Sequence, residues 1–369
     1  MTAVAIVFWL SAGLIVYTHL GYPLVLWALT KLKRTTVKDQ PRAERRQPTV
    51  SVIVAAHNEE SVMERRVQNL KELSYPHLEV IVASDGSTDT TAERARAAGA
   101  DVVLDLPRGG KIRAQDAGVK SASGEVVAFS DANALWAPDA VEALVAAFED
   151  PKVGYVCGQV RFIEPSGGGN QEGAYWRYEM LVRELESRLG GVTAGNGAIY
   201  ATRREAYMVV DPRMGHDLSF PFNLVKRGWR ALYEPRARAE ERMVPTVEGE
   251  FRRKRRMMSH TWPIVLEGGM LSPRGYRPLY ALEILSHRVL RYCTPFLHLI
   301  AFGTNIALLG HGWFYAVTLG FQIGLLAAAL AGVKIARYYL LVTASPAAGL
   351  WDWLRHGTPA EWEQAEGTR

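Results

Sequence analysis

Two long stretches without Asp, Glu, Lys or Arg, residues 3–30 and 292–333, frame a middle in which short apolar runs alternate with amphipathic ones. At about 1.5 Å per residue, the 28 residues of the first stretch reach roughly 42 Å, more than the ~30 Å hydrocarbon core of a bilayer, and predict a spanning helix. A secretory signal would carry its basic residues in front of an apolar stretch of about 7 to 15 residues. Here Lys31, Lys33, Arg34, Lys38, Arg42, Arg45 and Arg46 come afterwards, which puts the amino terminus outside and the middle in the cytoplasm. The second stretch is broken at Gly310, His311 and Gly312 and reads as a transmembrane hairpin, whose basic end at Lys334 and Arg337 returns to the cytoplasm. Residues 338–350 are apolar but contain Pro346 and precede Asp352 and Arg355, fitting either a third span or a re-entrant piece. Residues 251–271 and 280–291 mix Met, Trp and Leu with Arg and His, as helices in the headgroup plane do; a soluble amphipathic helix is the plainer alternative.

Between the uncharged stretches, residues 50–56, 78–83, 101–104 and 125–130 are short, β-branched-rich runs that predict buried parallel strands. Helical patterns separate them: 59–73 with Asn58 as N-cap, 89–98 closed by Gly99, and 111–122 before Gly124. Alternation of this kind predicts an α/β, doubly wound sheet with its ligand at the carboxyl ends of the strands. Residues 166–170 are the only low-complexity piece and read as a loop.

Composition narrows the class. With 369 residues, 48% hydrophobic and 22% charged, collagen-like and disordered readings are excluded. Two distant cysteines, Cys157 and Cys293, exclude a disulfide scaffold and a zinc cluster. The first strand runs into Ala55, Ala56, His57, Asn58, Glu59 and Glu60, with neither GxGxxG nor GxxxxGK, so the two common phosphate-cradling loops are absent. Polar groups instead gather at strand ends: His57, Asn58 and Glu59 after the first strand, Asp85 after the second, and Asp131 with Asn133 after the fourth. One such carboxylate is ordinarily a turn former or a cap, but three in one sheet point to a ligand.

The runs VSVIVAAHNEE, VIVASDGSTDTT, GGKIRAQDAG and VVAFSDANALWAPDA, in this order, resemble the membrane-associated family 2 glycosyltransferases, among them bacterial polysaccharide and glycan synthases, with a GT-A nucleotide-sugar fold. The resemblance covers residue 48 to about 257 and extends to the flanking helices and the tail 361–369. It implies a membrane helix and basic flank (1–34), a GT-A domain (48–250), interfacial helices (251–291), a hairpin with a candidate third span (292–354) and a tail (355–369).

Carried over residue by residue, it implies that Asp85 accepts the imide N–H of uracil and that His57 and Glu59 line base and ribose, a carboxylate being an acceptor only. Asp89 is read as a favourable acid at a helix start, and Lys111 as a cation near the diphosphate, out of place at a helix N-terminus unless an anion binds there. Asp131 and Asn133 stand at the family's DxD and would hold Mg or Mn, with Asn133 contributing one charge fewer than the acidic pattern. Gly195 and Asn196, with Gly197, fall in a strand-like segment under the donor sugar and acceptor; a plain turn or bulge is the other reading. His216 and Asp217 replace the usual Glu-Asp, making Asp217 the base, unless it merely caps a helix over 218–227, and His216 a surface loop residue. The basic run 252–256 stands where processive members have QxxRW, without its Gln or Trp; Arg253 and Arg256 are assigned to the diphosphate, and anionic headgroups are preferred to nucleic acid as a second use.

The implied function is inverting, metal-assisted transfer from a nucleotide sugar, UDP-linked, to a lipid-linked or saccharide hydroxyl at the cytoplasmic face of a multi-pass inner-membrane protein working with polysaccharide biosynthesis or export partners. A processive synthase and a non-catalytic nucleotide-sugar sensor or scaffold are the alternatives.

Overall fold

The computed structural model describes residues 1–32, 47–163, 171–242, 244 and 246–360, without the side chains of 171–175 and 247. The basic flank from Lys33 onward, the loop 166–170 and the tail 361–369 lie outside these residues.

The strands are β1 (Val50–Ala56), β2 (Leu78–Asp85), β3 (Val102–Leu106), β4 (Val126–Asp131), β5 (Leu135–Trp136), β6 (Val153–Ile163), β7 (Tyr200–Arg203) and β8 (Arg230–Arg242). The helices are α1 (Thr2–Leu32), α2 (Glu60–Lys71), α3 (Thr91–Ala97), α4 (Lys111–Ser121), α5 (Ala140–Ala147), α6 (Gln171–Leu189), α7 (His216–Lys226) and α8 (Val247–Leu266). They are followed by α9, a continuous run of Pro278–Glu283, the π turn Ile284–Val289 and Leu290–Ala307, then α10 (Trp313–Leu330) and α11 (Lys334–His356).

The parallel strands predicted from the apolar runs form the half-sheet β3-β2-β1-β4, with Ala55 of β1 in register with Asp131 of β4. Beyond β4 the sheet continues as β7-β6-β8-β5, and β7 is antiparallel to both β4 and β6. The sheet is therefore mixed rather than parallel throughout. Period-two alternation divides β1 between two cores. Val50, Val52 and Val54 pack with Met63, Val67 and Leu70 of α2 on one face, while Ile53 faces Val119 of α4 and Phe220 of α7 on the other. Full burial of each such side chain contributes roughly 1.5–3 kcal/mol.

Helices α1 and α10 are long and apolar enough to cross a membrane, and both expose large apolar side chains, including Leu20 and Leu24 on α1 and Phe321 on α10. The hairpin break at Gly310 to Gly312 is present as a short helical turn ending at Gly312, whose φ of +140° suits glycine. A π turn, Tyr17–Gly21, interrupts α1 opposite the one in α9, and Tyr17 Oη lies 2.8 Å from Ser286 Oγ across them.

A buried polar network joins these helices to the sheet domain. Tyr22 of α1 donates to Glu186 of α6 at 2.7 Å, and His287 Nδ1 meets the same carboxylate at 2.7 Å. His287 Nε2 lies 3.4 Å from Glu179, which also pairs with Arg291, and Arg288 Nε donates to Thr193 Oγ1 at 2.8 Å. Burial alone would raise the carboxyls of Glu179 and Glu186, but Arg291 beside the first and His287 beside the second hold both below their ordinary value.

Several expectations are corrected here. Residues 280–291 are not a separate helix; they are continuous with the first arm of the hairpin, with His287 against Glu186 and Arg291 paired with Glu179, both on α6. The amphipathic segment at 251–271 is α8, which buries Trp262 against α11, where its Nε1 donates to Pro346 O at 2.8 Å. Residues 338–350 belong to the one continuous helix α11, fastened to α8 by the Arg255–Asp352 pair. Asn58 is no N-cap: its φ is +53°, and its Oδ1 accepts from Thr88 N at 2.8 Å, bracing the turn after β2.

The α8–α11 seam depends on Gly349, where a Cβ would stand 2.5 Å from Met258 Cβ and 2.8 Å from Ser259 N. Gly349→Val is expected to destabilise the protein by about 1–3 kcal/mol through overpacking. A lowered midpoint of chemical denaturation in detergent checks this; an unchanged midpoint would show that the seam is loose.

Candidate active site

At the carboxyl ends of β1 and β4 the sheet opens into a cleft of about 490 Å³, closed on the other side by α6, the start of α7 and the basic run of α8. Glu59, Lys111, Asp131, Asn133, Gly195, Asn196, Asp217, Arg253 and Arg256 all line it. His57 and Asp85 do not.

Asp85 is 1% exposed and occupied: its carboxylate accepts from Arg108 Nη1 at 2.9 Å, Gly109 N at 2.7 Å and Gly110 N at 3.0 Å. It shapes the loop that launches α4 rather than presenting a vacant acceptor. His57 Nδ1 is placed 2.8 Å from Asp85 O, at the same turn.

Lys111, the first residue of α4, forms an ion pair with Asp131 across the cleft floor. Burial works to lower its pKa, yet Asp131, with Asp217 and Glu241 further off, outweighs burial and keeps the ammonium charged. Gly197 lies against this pair, since a Cβ there would be 3.1 Å from Asp131 Oδ2 and 3.3 Å from Lys111 Nζ. The segment 195–197 is loop, not strand, and Asn196 spends its amide on the protein: Nδ2 donates to Gly158 O at 2.7 Å, and Oδ1 accepts from Ile199 N at 2.9 Å. One residue before Asp131, Ser130 Oγ accepts from the fully buried Arg66 at 2.8 Å. Burial pulls this guanidinium down to about 9 although Asp131 opposes the change.

Asp217 sits inside the first turn of α7, whose capping position belongs to Gly215, and its carboxylate takes a backbone hydrogen bond from Leu218. Its carbonyl accepts from Gly195 N at 2.7 Å, tying the turn to the glycine loop. Desolvation raises its carboxyl above the ordinary value, with Lys111 pulling the other way.

His216, expected on the surface, is 2% exposed. It stacks on Phe220 with ring centroids 3.9 Å apart and meets Phe129 and Tyr207 edge-on. Its Nδ1 lies 2.9 Å from Tyr200 Oη, which accepts from Gln115 Nε2 at 3.1 Å. The imidazole's other nitrogen, Nε2, has no hydrogen-bond partner among the described residues. Burial, helped by Lys111, lowers its pKa to about 3.

The basic run is not a uniform positive face. Glu250 accepts from Arg253 Nε at 2.8 Å and pairs with Lys254 at 2.9 Å, while Arg255 is held by Asp352. Sequence reasoning missed Arg183 of α6, which lines the cleft, is 5% exposed and lies 5.5 Å over the ring of Trp176. Its Nε and Nη1 have no hydrogen-bond partner among the described residues. The signal was available in the charged positions Glu179, Arg183 and Glu186, which recur at helical spacing on one face of α6.

Residues 51–211 match the family described as Glycosyl transferase family 2. This is a family 2 glycosyltransferase domain. The poly-β-1,6-N-acetyl-D-glucosamine synthase of Staphylococcus aureus (strain COL) is 26% identical over 245 residues, 63% of this chain and 60% of the relative. Its counterpart from Staphylococcus epidermidis is 24% identical over 277 residues, 67% of each chain. The chain thus spans about 60% of the length of the Staphylococcus aureus relative. Among solved structures, the mannosyltransferase PcManGT from Pyrobaculum calidifontis, in complex with GDP-Man and Mn2+, superposes with a TM-score of 0.73 at 24% identity, covering 94% of this chain and 99% of that one. The fold of the glycosyltransferase domain is accordingly GT-A, as the resemblance implied.

A histidine buried neutral must charge when the chain unfolds in acid, so stability is complete above about pH 6.5 and falls as pH drops from there toward 3. His216 contributes a slope of about 1.4 kcal/mol per pH unit in that window. Denaturation midpoints measured from pH 7 to pH 4 should fall less steeply for His216→Gln than for the wild type; equal slopes would mean the imidazole is not buried in its neutral form.

Proposed function

We propose that this glycosyltransferase moves a sugar from a nucleoside-diphosphate donor to an acceptor hydroxyl with inversion at the anomeric carbon. The single observation that supports the reading is that Asp217, the Asp131–Lys111 pair, Arg253 and Arg256 share one cleft. Inversion asks for a base on the acceptor side, and Asp217, raised by desolvation, is the carboxylate suited to take the hydroxyl proton. Lys111, Arg253 and Arg256 offset the charge of the diphosphate.

A divalent cation fits the residues present. Hard cations of the Mg or Mn type are held by one or two carboxylates together with substrate phosphates. Asp131 and Asn133 offer such oxygens at the cleft, and no group of three His, Cys, Asp or Glu suited to a metal exists among the described residues, which leaves the other ligands to the donor. When bound, the ion stabilises charge on the leaving diphosphate. PcManGT, described with Mn2+ and GDP-Man, supports the same assignment.

We take a UDP-sugar as the donor, and a uridine base reaches Asp85 only where the loop of Arg108, Gly109 and Gly110 opens from that carboxylate. Donor hydrolysis across UDP-N-acetylglucosamine, UDP-glucose and GDP-mannose identifies the base and sugar. The apolar surfaces of α1 and α10 support attachment to the cytoplasmic face of a membrane, with the multi-pass topology expected from the charge pattern. Repeated transfer is the second reading, favoured by the polymer synthases among the relatives; the length of the product distinguishes it.

Asp217→Asn should keep nucleotide affinity within a few fold and lower turnover by roughly 100-fold or more. The wild-type acid limb should lie above the ordinary carboxylate range, because activity appears only as the raised carboxyl loses its proton. Wild-type turnover in the variant would remove Asp217 as the base.

Asp131→Ala should abolish cation-dependent binding of the donor, whereas Asn133→Asp should preserve or strengthen it by adding a charge. Calorimetry with and without EDTA reads both, and donor affinity indifferent to chelation would refute the metal assignment.

A further inference from the structure

Arg183 lines the same cleft as Asp217, yet the protein leaves its charge unanswered. It is 5% exposed, and its Nε and Nη1 have no hydrogen-bond partner among the described residues. Nor does it form an ion pair with a described carboxylate. The two acids one turn away on α6 are committed elsewhere, Glu179 to Arg291 and Glu186 to His287 and Tyr22. Other cations of the cleft are balanced by the protein itself: Lys111 by Asp131, and Arg253 and Lys254 by Glu250. Arg183 rests instead 5.5 Å over the ring of Trp176, which is fixed in turn by its Nε1 donating to Val160 O at 2.6 Å. Phe162 meets that ring edge-on at 5.2 Å, and both aromatic side chains line the cleft.

A cation this deep without a counter-charge is costly unless a ligand brings one. A guanidinium keeps its proton at neutral pH, and its planar donors match carboxylate or phosphate oxygens. Position decides between the two. In the reading above, the donor diphosphate is met by Lys111 from α4 and by Arg253 and Arg256 from α8. Arg183 comes from α6 and is close enough to act on Asp217: desolvation raises that carboxyl, while Lys111, the backbone of Leu218 and Arg183 work against the rise. Asp217 serves the acceptor hydroxyl, so an anion at Arg183 belongs to the acceptor, and the anion that a sugar ring itself carries is a carboxylate.

We propose that Arg183 makes this transferase specific for an acidic acceptor, a saccharide with a uronic acid at or next to its accepting sugar, whose carboxylate bonds to the guanidinium. This rests on the transferase reading above and gives its acceptor a charge. A neutral acceptor of the same shape would leave the buried cation unpaired, and a site built to bond a polar group rejects the analogue that lacks it for that reason.

The test uses the full chain in detergent with Mn2+. Binding of UDP and GDP reports on the donor side. With whichever nucleotide binds at saturation, affinities are measured for β-1,4-linked tetraglucuronate, for its neutral counterpart cellotetraose and for inorganic phosphate. Tetraglucuronate is expected to bind the wild type roughly tenfold or more tightly than cellotetraose. Arg183→Gln should erase that preference and keep nucleotide affinity within about twofold, while Arg183→Lys, which retains the charge without the planar fork, should restore only part of it. Tetraglucuronate binding no tighter than cellotetraose, or an undiminished preference in Arg183→Gln, would overturn the proposal. So would displacement of tetraglucuronate by phosphate at equal concentration, the mark of a general anion site, or loss of nucleotide affinity in Arg183→Gln, which would give the guanidinium to the diphosphate. Should Arg183→Gln fail to fold, Arg183→Lys decides, and a preference as large as the wild type's would overturn the proposal. Absence of UDP and GDP binding in the wild type would overturn the cleft assignment instead, so the two failures are told apart.

Discussion

Glu186 is the residue on which the arrangement of the sheet domain and the apolar helices depends. It is completely buried on α6, and it receives Tyr22 from α1 and His287 from α9 while its neighbour Glu179 receives Arg291. Removing one partner from such a buried set typically costs about 3–5 kcal/mol, because the charge left behind has no water to turn to. The network also fixes geometry. By anchoring α6 it sets the cleft wall that carries Arg183 and Glu179.

The half-sheet of β1 to β4 was legible because each strand is a short β-branched run bounded by helix signals, and parallel pairing follows from the crossovers. The other half, β7-β6-β8-β5, was not. Its strand β7 has only four residues, and β8 carries charges at alternate positions, so neither displays the apolar run that marks a buried strand. The apolar helices were partly legible: uncharged length marked α1 and the hairpin, whereas the placing of His287 and Arg291 depends on acids some hundred residues earlier in the chain, a pairing no local pattern reveals.

The cleft divides the same way. Asp131 was found at a strand end and Lys111 and Asp217 through the family resemblance, and the structure brings the three together. Asp85 was found as a residue but its surroundings were not: a carboxylate at a strand end looks identical in sequence whether it faces a ligand or, as here, three donors of its own loop. His216 shows the opposite difficulty. A lone histidine beside an acid reads as exposed, and only the convergence of Phe129, Tyr200, Tyr207 and Phe220 from separate elements makes the site dry enough to keep it neutral.

The π turn at Tyr17–Gly21 has a bearing on how α1 tolerates change in length. A π turn accommodates one residue more than the regular helix, and one residue advances a helix by about 100°. The outer half of α1, which seats Phe8 against Tyr315, and the inner half, which delivers Tyr22 to Glu186, are therefore phased independently about that extra residue. Deleting one residue within it would yield a more regular helix and a worse protein, since the inner half would rotate by about a quarter turn and carry Tyr22 off its carboxylate. The irregularity works as a vernier between the packing of one end of the helix and the hydrogen bonding of the other.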